Sequence, residues 1–355
     1  MKLPRNAQIW LPDYLWGGWR RQPRPRQGEG RLWVAIADHF EPLWAGVDED
    51  TGQRRVETWR AQWPQIAARH RDSTGQPPVY TFFYPQEEYR PFFLEPLAEM
   101  ARQGIADIEV HIHHDEAVHP AQGLGTFDER MRGYLERLER GHGLLRRENG
   151  AIRFGFIHGN WALDNSLPGG RWCGLNDELQ RLGRMGCYAD FTMPSGASPT
   201  QAQMLNRVYW ATDDPLAPGS HRWGVPVEPE RPGSGDLLMI PGPLGLRWRD
   251  RLVPRLESGE ISGYDLPTPY RVRRWMELAP TLGCDVFLKL FTHGAQERNR
   301  DPLLGGGLDR LFELLGLECS RRGWQLRYVS TWNLFGAVRA QQQGTSLADK
   351  TTGQL

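Results

Sequence analysis

The sequence predicts an α/β fold built on parallel strands, and three observations carry that expectation. Short apolar runs alternate with amphipathic helical segments about six times, the order that arises when helices cross over between parallel neighbours. No hairpin signal is evident between the runs, which argues against an antiparallel meander. Polar clusters follow successive apolar runs directly: Asp38/His39, Glu87/Glu88, His111/His113, His158/Asn160, Asp190 and His293. In parallel α/β proteins catalytic groups gather at the strand ends, whether the sheet stays open or closes into a barrel.

Residues 1–30 read as an N-terminal arm. Trp10, Leu11, Leu15, Trp16 and Trp19 are interrupted by proline, aspartate and arginine, and Arg20 to Gly30 is rich in Arg, Pro and Gly. The arm holds no apolar run long enough for a signal peptide or a membrane span. Leu32 to Ala37 is the first strand, Val56 to Arg71 a helix, and Val79 to Tyr84 a strand. Leu94 to Gln103 is an amphipathic helix stopped by Gly104, since Leu94, Leu97, Ala98 and Ala101 share one face. After the histidine-rich run from Ile108 to Asp115, the pattern repeats. Phe127 to Arg140 is a helix, Arg153 to Ile157 a strand, Leu175 to Met185 a helix stopped by Gly186, and Cys187 to Thr192 a strand.

Residues 196–270 break the rhythm with Pro- and Gly-rich turns and read as a long irregular insertion, of the kind that usually serves as a lid or subdomain. Regular patterning resumes at Val272, followed by the strand Asp285 to Thr292, the helix Leu308 to Arg321 and the strand Gln325 to Ser330. One folded unit over residues 31–335 is expected, with a polar tail over 336–355.

Composition narrows the function. Hydrophobic residues make up 39% of the chain and there are 15 tryptophans, enough for a large core. Basic and acidic residues balance at 43 each with no basic block, so nucleic acid is not an expected partner. Cys173, Cys187, Cys284 and Cys319 form no CxxC pair and suit reduced, buried thiols in a cytoplasmic protein. Lys289 stands out inside an apolar strand, where pairing with a buried carboxylate is expected. No GxGxxG or GxxxxGK[ST] follows a strand, which argues against dinucleotide or P-loop chemistry.

The candidate site centres on Ile108-Glu109-Val110-His111-Ile112-His113-His114-Asp115. Period-two alternation puts His111 and His113 on one face of a strand. Two imidazoles on one face, with His114, Asp115 and Glu116 following, make a nucleus for a divalent ion such as zinc. Glu87 and Glu88 read as a solvated turn.

The order of these motifs resembles the NodB-homology polysaccharide deacetylases of carbohydrate esterase family four, and more loosely the YdjC-like sugar deacetylases. Asp38-His39 resembles the aspartate pair that ends the family's first strand, and Thr81-Phe82-Phe83 is similar to its second strand. Glu109-Val110-His111-Ile112-His113 resembles its second motif, with the metal histidine falling on His113. His158-Gly159-Asn160-Trp161, Asp190 and Phe291-Thr292-His293 stand in the places of the later motifs, over roughly residues 31–335. His39 occupies the place of an aspartate ligand and Ala117 that of a second histidine, so His111, His114 or His119 would have to complete the site.

The resemblance implies a distorted parallel (β/α) barrel and a metal-dependent carbohydrate deacetylase. It implies metal ligands at His113 and His39, with His111 the chosen third because it shares a strand face with His113, and it implies Asp38 as base and His293 as acid. The substrate, an acetylated carbohydrate, would meet His158, Asn160, Trp161 and Asp190. Two other readings are open. A metal-independent glycosidase could take its two carboxylates from Asp38, Asp190 or Asp164. The missing aspartate and histidine would also suit a non-catalytic carbohydrate-binding or assembly protein on a decayed esterase fold.

Overall fold

The first strand, β1 (Arg31–His39), sets the architecture. Its side chains alternate between two separate apolar clusters: Leu32, Val34 and Ile36 enter one, and Trp33, Ala35 and Ala37 the other. A strand covered on both faces reads as a continuous apolar run, because neither face needs polar residues. The computed structural model describes residues 3–17, 23–115, 126–249 and 253–345.

The strands in chain order are β1, β2 (Tyr80–Pro85), β3 (Ala106–Ile112), β4 (Arg146–Glu148), β5 (Ala151–His158), β6 (Cys187–Asp190) and β7 (Tyr209–Ala211). They continue as β8 (Val225–Pro226), β9 (Leu237–Met239), β10 (Gly245–Arg249), β11 (Val253–Glu257), β12 (Thr281–Leu282), β13 (Asp285–Thr292) and β14 (Gln325–Tyr328). The helices are α1 (Ala7–Trp16), α2 (Glu49–Arg69), α3 (Pro91–Arg102), α4 (Phe127–Glu136), α5 (Glu178–Arg184), α6 (Pro269–Leu278), α7 (Glu297–Pro302), α8 (Leu308–Arg322) and α9 (Thr331–Gln342).

The central sheet runs β12-β13-β1-β2-β3-β5-β6-β9-β7-β8. The pairs from β13 through β9 are parallel, and β14 is parallel to the first half of β1. This is a mixed α/β architecture with a mostly parallel sheet. Helix starts follow from local chemistry: Asp48 caps α2 by accepting from the Thr51 N–H, and Thr126 and Glu129 form a capping box on α4.

Three differences from the expectation have physical reasons. Hairpins are present: β4 turns into β5 through Asn149-Gly150, both at positive φ, the sequence that favours a two-residue turn. Residues 196–270 supply three strands to one margin of the same sheet, with β9 parallel to β6. Strands of two or three residues are too short to show a period. The expected polar tail begins inside α9, where Ser330 caps the helix and Leu334, Phe335 and Val338 are buried. Residues 346–355 lie outside the described residues.

Alternation places the chemistry. On the face of Leu32 and Ile36 lie Asp38, Ile108, Val110, Phe156 and, by parity, His158. On the face of Trp33 and Ala37 lie His39, Glu109, His111 and Lys289, and just past the strand ends follow His113 and His293. Among the described residues no helix is long and apolar enough to cross a membrane.

Candidate metal centre

His39 ends β1, and its ring lies 5.2 Å from that of His111 and 4.7 Å from that of His293, between centroids. The register explains this: Ala37 pairs with Phe291, so the residues two positions on leave neighbouring strands side by side. The His111 and His113 rings are 4.7 Å apart, so the shared face read from alternation brings them together. Glu41, two residues past β1, completes the group. The ligand atoms offered by His39, Glu41 and His111 all lie within 4.8 Å of one another, and all three residues are buried.

The hydrogen bonds define which atoms face inward. His111 Nδ1 is 2.8 Å from the Ile157 carbonyl, an acceptor only, so Nδ1 carries the proton and a neutral ring presents its Nε2 lone pair. That Nε2 faces Glu41 Oε1 at 3.3 Å, and His113 Nε2 faces the same oxygen at 3.5 Å. His113 Nδ1 and backbone N–H both bond Glu87, which orients the ring. His39 Nε2 is buried without a hydrogen-bond partner. The His111 lone pair aimed at a carboxylate and the partnerless buried nitrogen of His39 leave room for a proton or a cation between them. The donor set therefore fits a divalent ion held by His39, Glu41 and His111, with His113 alongside.

Electrostatics follow burial. Desolvation, reinforced by His293 and His111, holds His39 well below the ordinary histidine value. Desolvation also pulls His293 down to about 4, against the opposing pull of Glu41. For His113 burial acts downward but the Glu87 carboxylate outweighs it, lifting the ring to about 9. Burial pushes Glu41 up, yet its bond to His111 leaves it below the usual carboxylate range.

A cavity of about 480 Å³ opens beside the cluster, lined by Trp161, His293, Phe291, Tyr264, Glu260 and Arg247 among others. Much of its wall comes from residues 194–197 and 255–265, around the stretch read as an insertion. Trp161 packs against both histidines, 5.9 Å from the His39 ring and 5.8 Å from His293. It is held there by a turn in which Asn160 and Trp161 both adopt positive φ, a strained pair for non-glycine residues. Asn160 is half-buried in that turn.

The remaining expected residues lie elsewhere. Asp38 faces the opposite side from His39, and its oxygens accept from Tyr80 Oη at 3.0 Å and the Gly294 N–H at 2.6 Å. Burial pushes it up to about 7. It anchors the chain just after His293 and does not line the cavity. Asp190 accepts twice from Thr192, whose hydroxyl accepts from the His158 N–H. Lys289 donates to the Phe191 and Met193 carbonyls, with Asp190 as the neighbouring charge, and burial lowers it to about 7. Fully buried, His158 turns toward His114 and Glu178. Asp164 accepts from the Ser220 N–H, so none of the three carboxylates weighed for a glycosidase lines the cavity. Ala117 and His119 lie outside the described residues.

The chain matches no protein-family model and no curated protein. Sequence reasoning passed over two members of the cluster. Glu41 stands in the polar run after β1, and its signal was the odd-numbered parity it shares with His39. Glu87, read as solvated, binds His113; Glu88 accepts from the Leu43 N–H. Three of the four cysteines are buried and Cys284 is exposed, all as free thiols.

Proposed function

We propose that this chain is a metal-dependent hydrolase that removes acetyl groups from carbohydrate, on a distorted (β/α) barrel of the deacetylase type. One observation carries the reading: His39, Glu41 and His111, all buried, each offer a ligand atom within 4.8 Å of the others, beside a cavity walled by aromatic and charged side chains. Imidazole and carboxylate donors suit zinc or a neighbouring divalent ion. Such an ion polarises a carbonyl and makes water acidic enough to attack it near neutral pH.

The chain's own groups do the rest. His293 lines the cavity beside His39, and a neutral imidazole there accepts the proton of the attacking water and returns it to the leaving oxygen or nitrogen. Asp38, committed to Tyr80 and Gly294, positions His293 instead of taking that proton. Trp161 and Tyr264 offer flat faces to sugar rings, and Glu260 offers an acceptor to their hydroxyls. Tyr264 Oη already donates to Glu260 at 3.1 Å, which fixes both groups at the cavity wall.

The test is acetate release from acetylated sugars by the zinc-loaded chain, beside metal content by elemental analysis. Wild type is expected to turn over, His293→Ala to keep the metal and lose turnover, and His111→Ala to lose both. A metal-loaded wild type that binds acetylated sugars without releasing acetate would replace hydrolysis with carbohydrate binding.

A further inference from the structure

A second cluster lies on the other face of the sheet, and the proposed hydrolysis makes no use of it. His114 follows β3, His158 ends β5, Cys173 belongs to the segment between β5 and α5, and Glu178 begins α5. All four are buried, and one ligand atom from each lies within 4.8 Å of the other three. The donors of a tetrahedral zinc site, at bond lengths of about 2.0–2.3 Å, stand about 3.3–3.8 Å apart. His158 Nε2 is 3.4 Å from Glu178 Oε1, and Cys173 Sγ is 3.4 Å from Glu178 Oε2.

The hydrogen bonds leave one buried lone pair in this group without a donor. His158 Nδ1 lies 2.5 Å from the Gly159 carbonyl and must be the protonated nitrogen, so Nε2 turns a lone pair toward a carboxylate oxygen. That Nε2 is buried with no hydrogen-bond partner. Cys173 Sγ accepts the Asn165 N–H at 3.2 Å, and its own S–H faces Glu178 Oε2, the proton that a bound ion would replace. Glu178 already takes the Asp164 N–H on Oε2 at 2.7 Å and His114 Nε2 on Oε1 at 2.7 Å. Two imidazoles, a thiol and a carboxylate sealed from water form a closed set with no position left for substrate, the signature of a structural site.

We infer that His114, His158, Cys173 and Glu178 bind a structural zinc ion, distinct from the ion at the cavity. Its place in the fold gives it a purpose. His113 and His114 are neighbours pointing to opposite faces, and Gly159, next to His158, packs against the His113 ring. A methyl group on Gly159 would overlap the His113 ring, so the two strand ends interlock there. An ion clamping His114 to His158 holds β3 and β5 in the register that sets His113 and, through the turn at Gly159, Trp161. It also ties the segment that follows Trp161 to α5.

Cobalt distinguishes the two sites, because a thiolate ligand gives Co(II) a near-ultraviolet charge-transfer absorption and imidazole or carboxylate does not. The full chain, stripped of metal and reloaded with Co(II), is expected to bind two equivalents and show that absorption. His111→Ala is expected to bind one equivalent and keep the absorption; Cys173→Ala is expected to bind one and lose it. If Cys173→Ala does not fold, the wild-type spectrum decides alone. A cobalt-loaded wild type without the absorption, or an absorption that survives in Cys173→Ala, would overturn the inference. Loss of hydrolysis has no bearing on this result, since the cavity cluster contains no sulfur.

Discussion

The two histidine clusters use the same strands and differ in what surrounds them. The one built on His39, Glu41 and His111 borders a cavity, and the His113 ring beside it is partly open to solvent. The one built on His114, His158, Cys173 and Glu178 is sealed on all sides. The adjacent residues His113 and His114 are divided between them because successive side chains of an extended chain point to opposite faces. A single step of parity therefore separates the group beside the cavity from the one buried on the other face. The same step separates His39 from Asp38: one joins the cavity, and the other grips Gly294 behind it.

The largest expected effect tests that division at its catalytic end. His293→Ala should lower kcat for acetate release by about 10²–10⁴-fold, the usual contribution of a positioned proton-transfer group. Zinc content should stay at the wild-type level. Equal losses of zinc and turnover would make His293 a ligand and redraw the cavity cluster.

Next comes Glu87→Gln, which removes the carboxylate that orients His113. Loss of such an outer partner typically weakens metal affinity about 10–100-fold. Competition with a chromogenic chelator should show that weakening at the cavity site and leave the thiolate absorption of the cobalt form unchanged. A matching change at both sites would mean that the clusters are not independent.

Asp38→Asn sharpens the comparison by parity. An amide can accept only one of the two donors facing it, so chemical denaturation should report a loss of about 1–3 kcal/mol. If Asp38 acts only by anchoring Gly294, kcat should fall far less than in His293→Ala. A collapse of kcat with stability intact would return Asp38 to the role of base.

The smallest effect concerns Lys289. Its folded value of about 7 lies below the ordinary 10.5, so the unfolded chain binds the extra proton between those values. This group therefore adds stability as pH rises from about 7 toward 10. Urea unfolding at pH 7 and pH 9 should show wild type gaining on Lys289→Met over that interval. A constant difference between the two would mean that Lys289 stays charged when buried.

Much of the frame was legible because burial on both faces makes unmistakable apolar runs. β1 and β13 are of this kind, β3 was legible from its period-two alternation, and β13 spans Asp285–Thr292 as read. β7, β8 and β9 were not legible, since two or three residues carry no period. The Asn149-Gly150 turn was readable and was passed over. Within the site, the pairing of His111 with His113 followed from alternation. Glu41 and Glu87 did not stand out, because a lone glutamate after a strand looks solvated until a histidine from another strand faces it. Cys173 and Glu178 are separated from His114 by roughly sixty residues of chain, and no local pattern joins them; only pairing of β3 with β5 does.

One measurement bears on the whole account: anomalous diffraction at the zinc edge from crystals of the full chain grown with zinc. The expected map has one peak within about 2 Å of His111 Nε2, a ring nitrogen of His39 and a Glu41 carboxylate oxygen, with a second among His114, His158, Cys173 and Glu178. A map with density at neither cluster, or with zinc only on exposed surface residues, would contradict it.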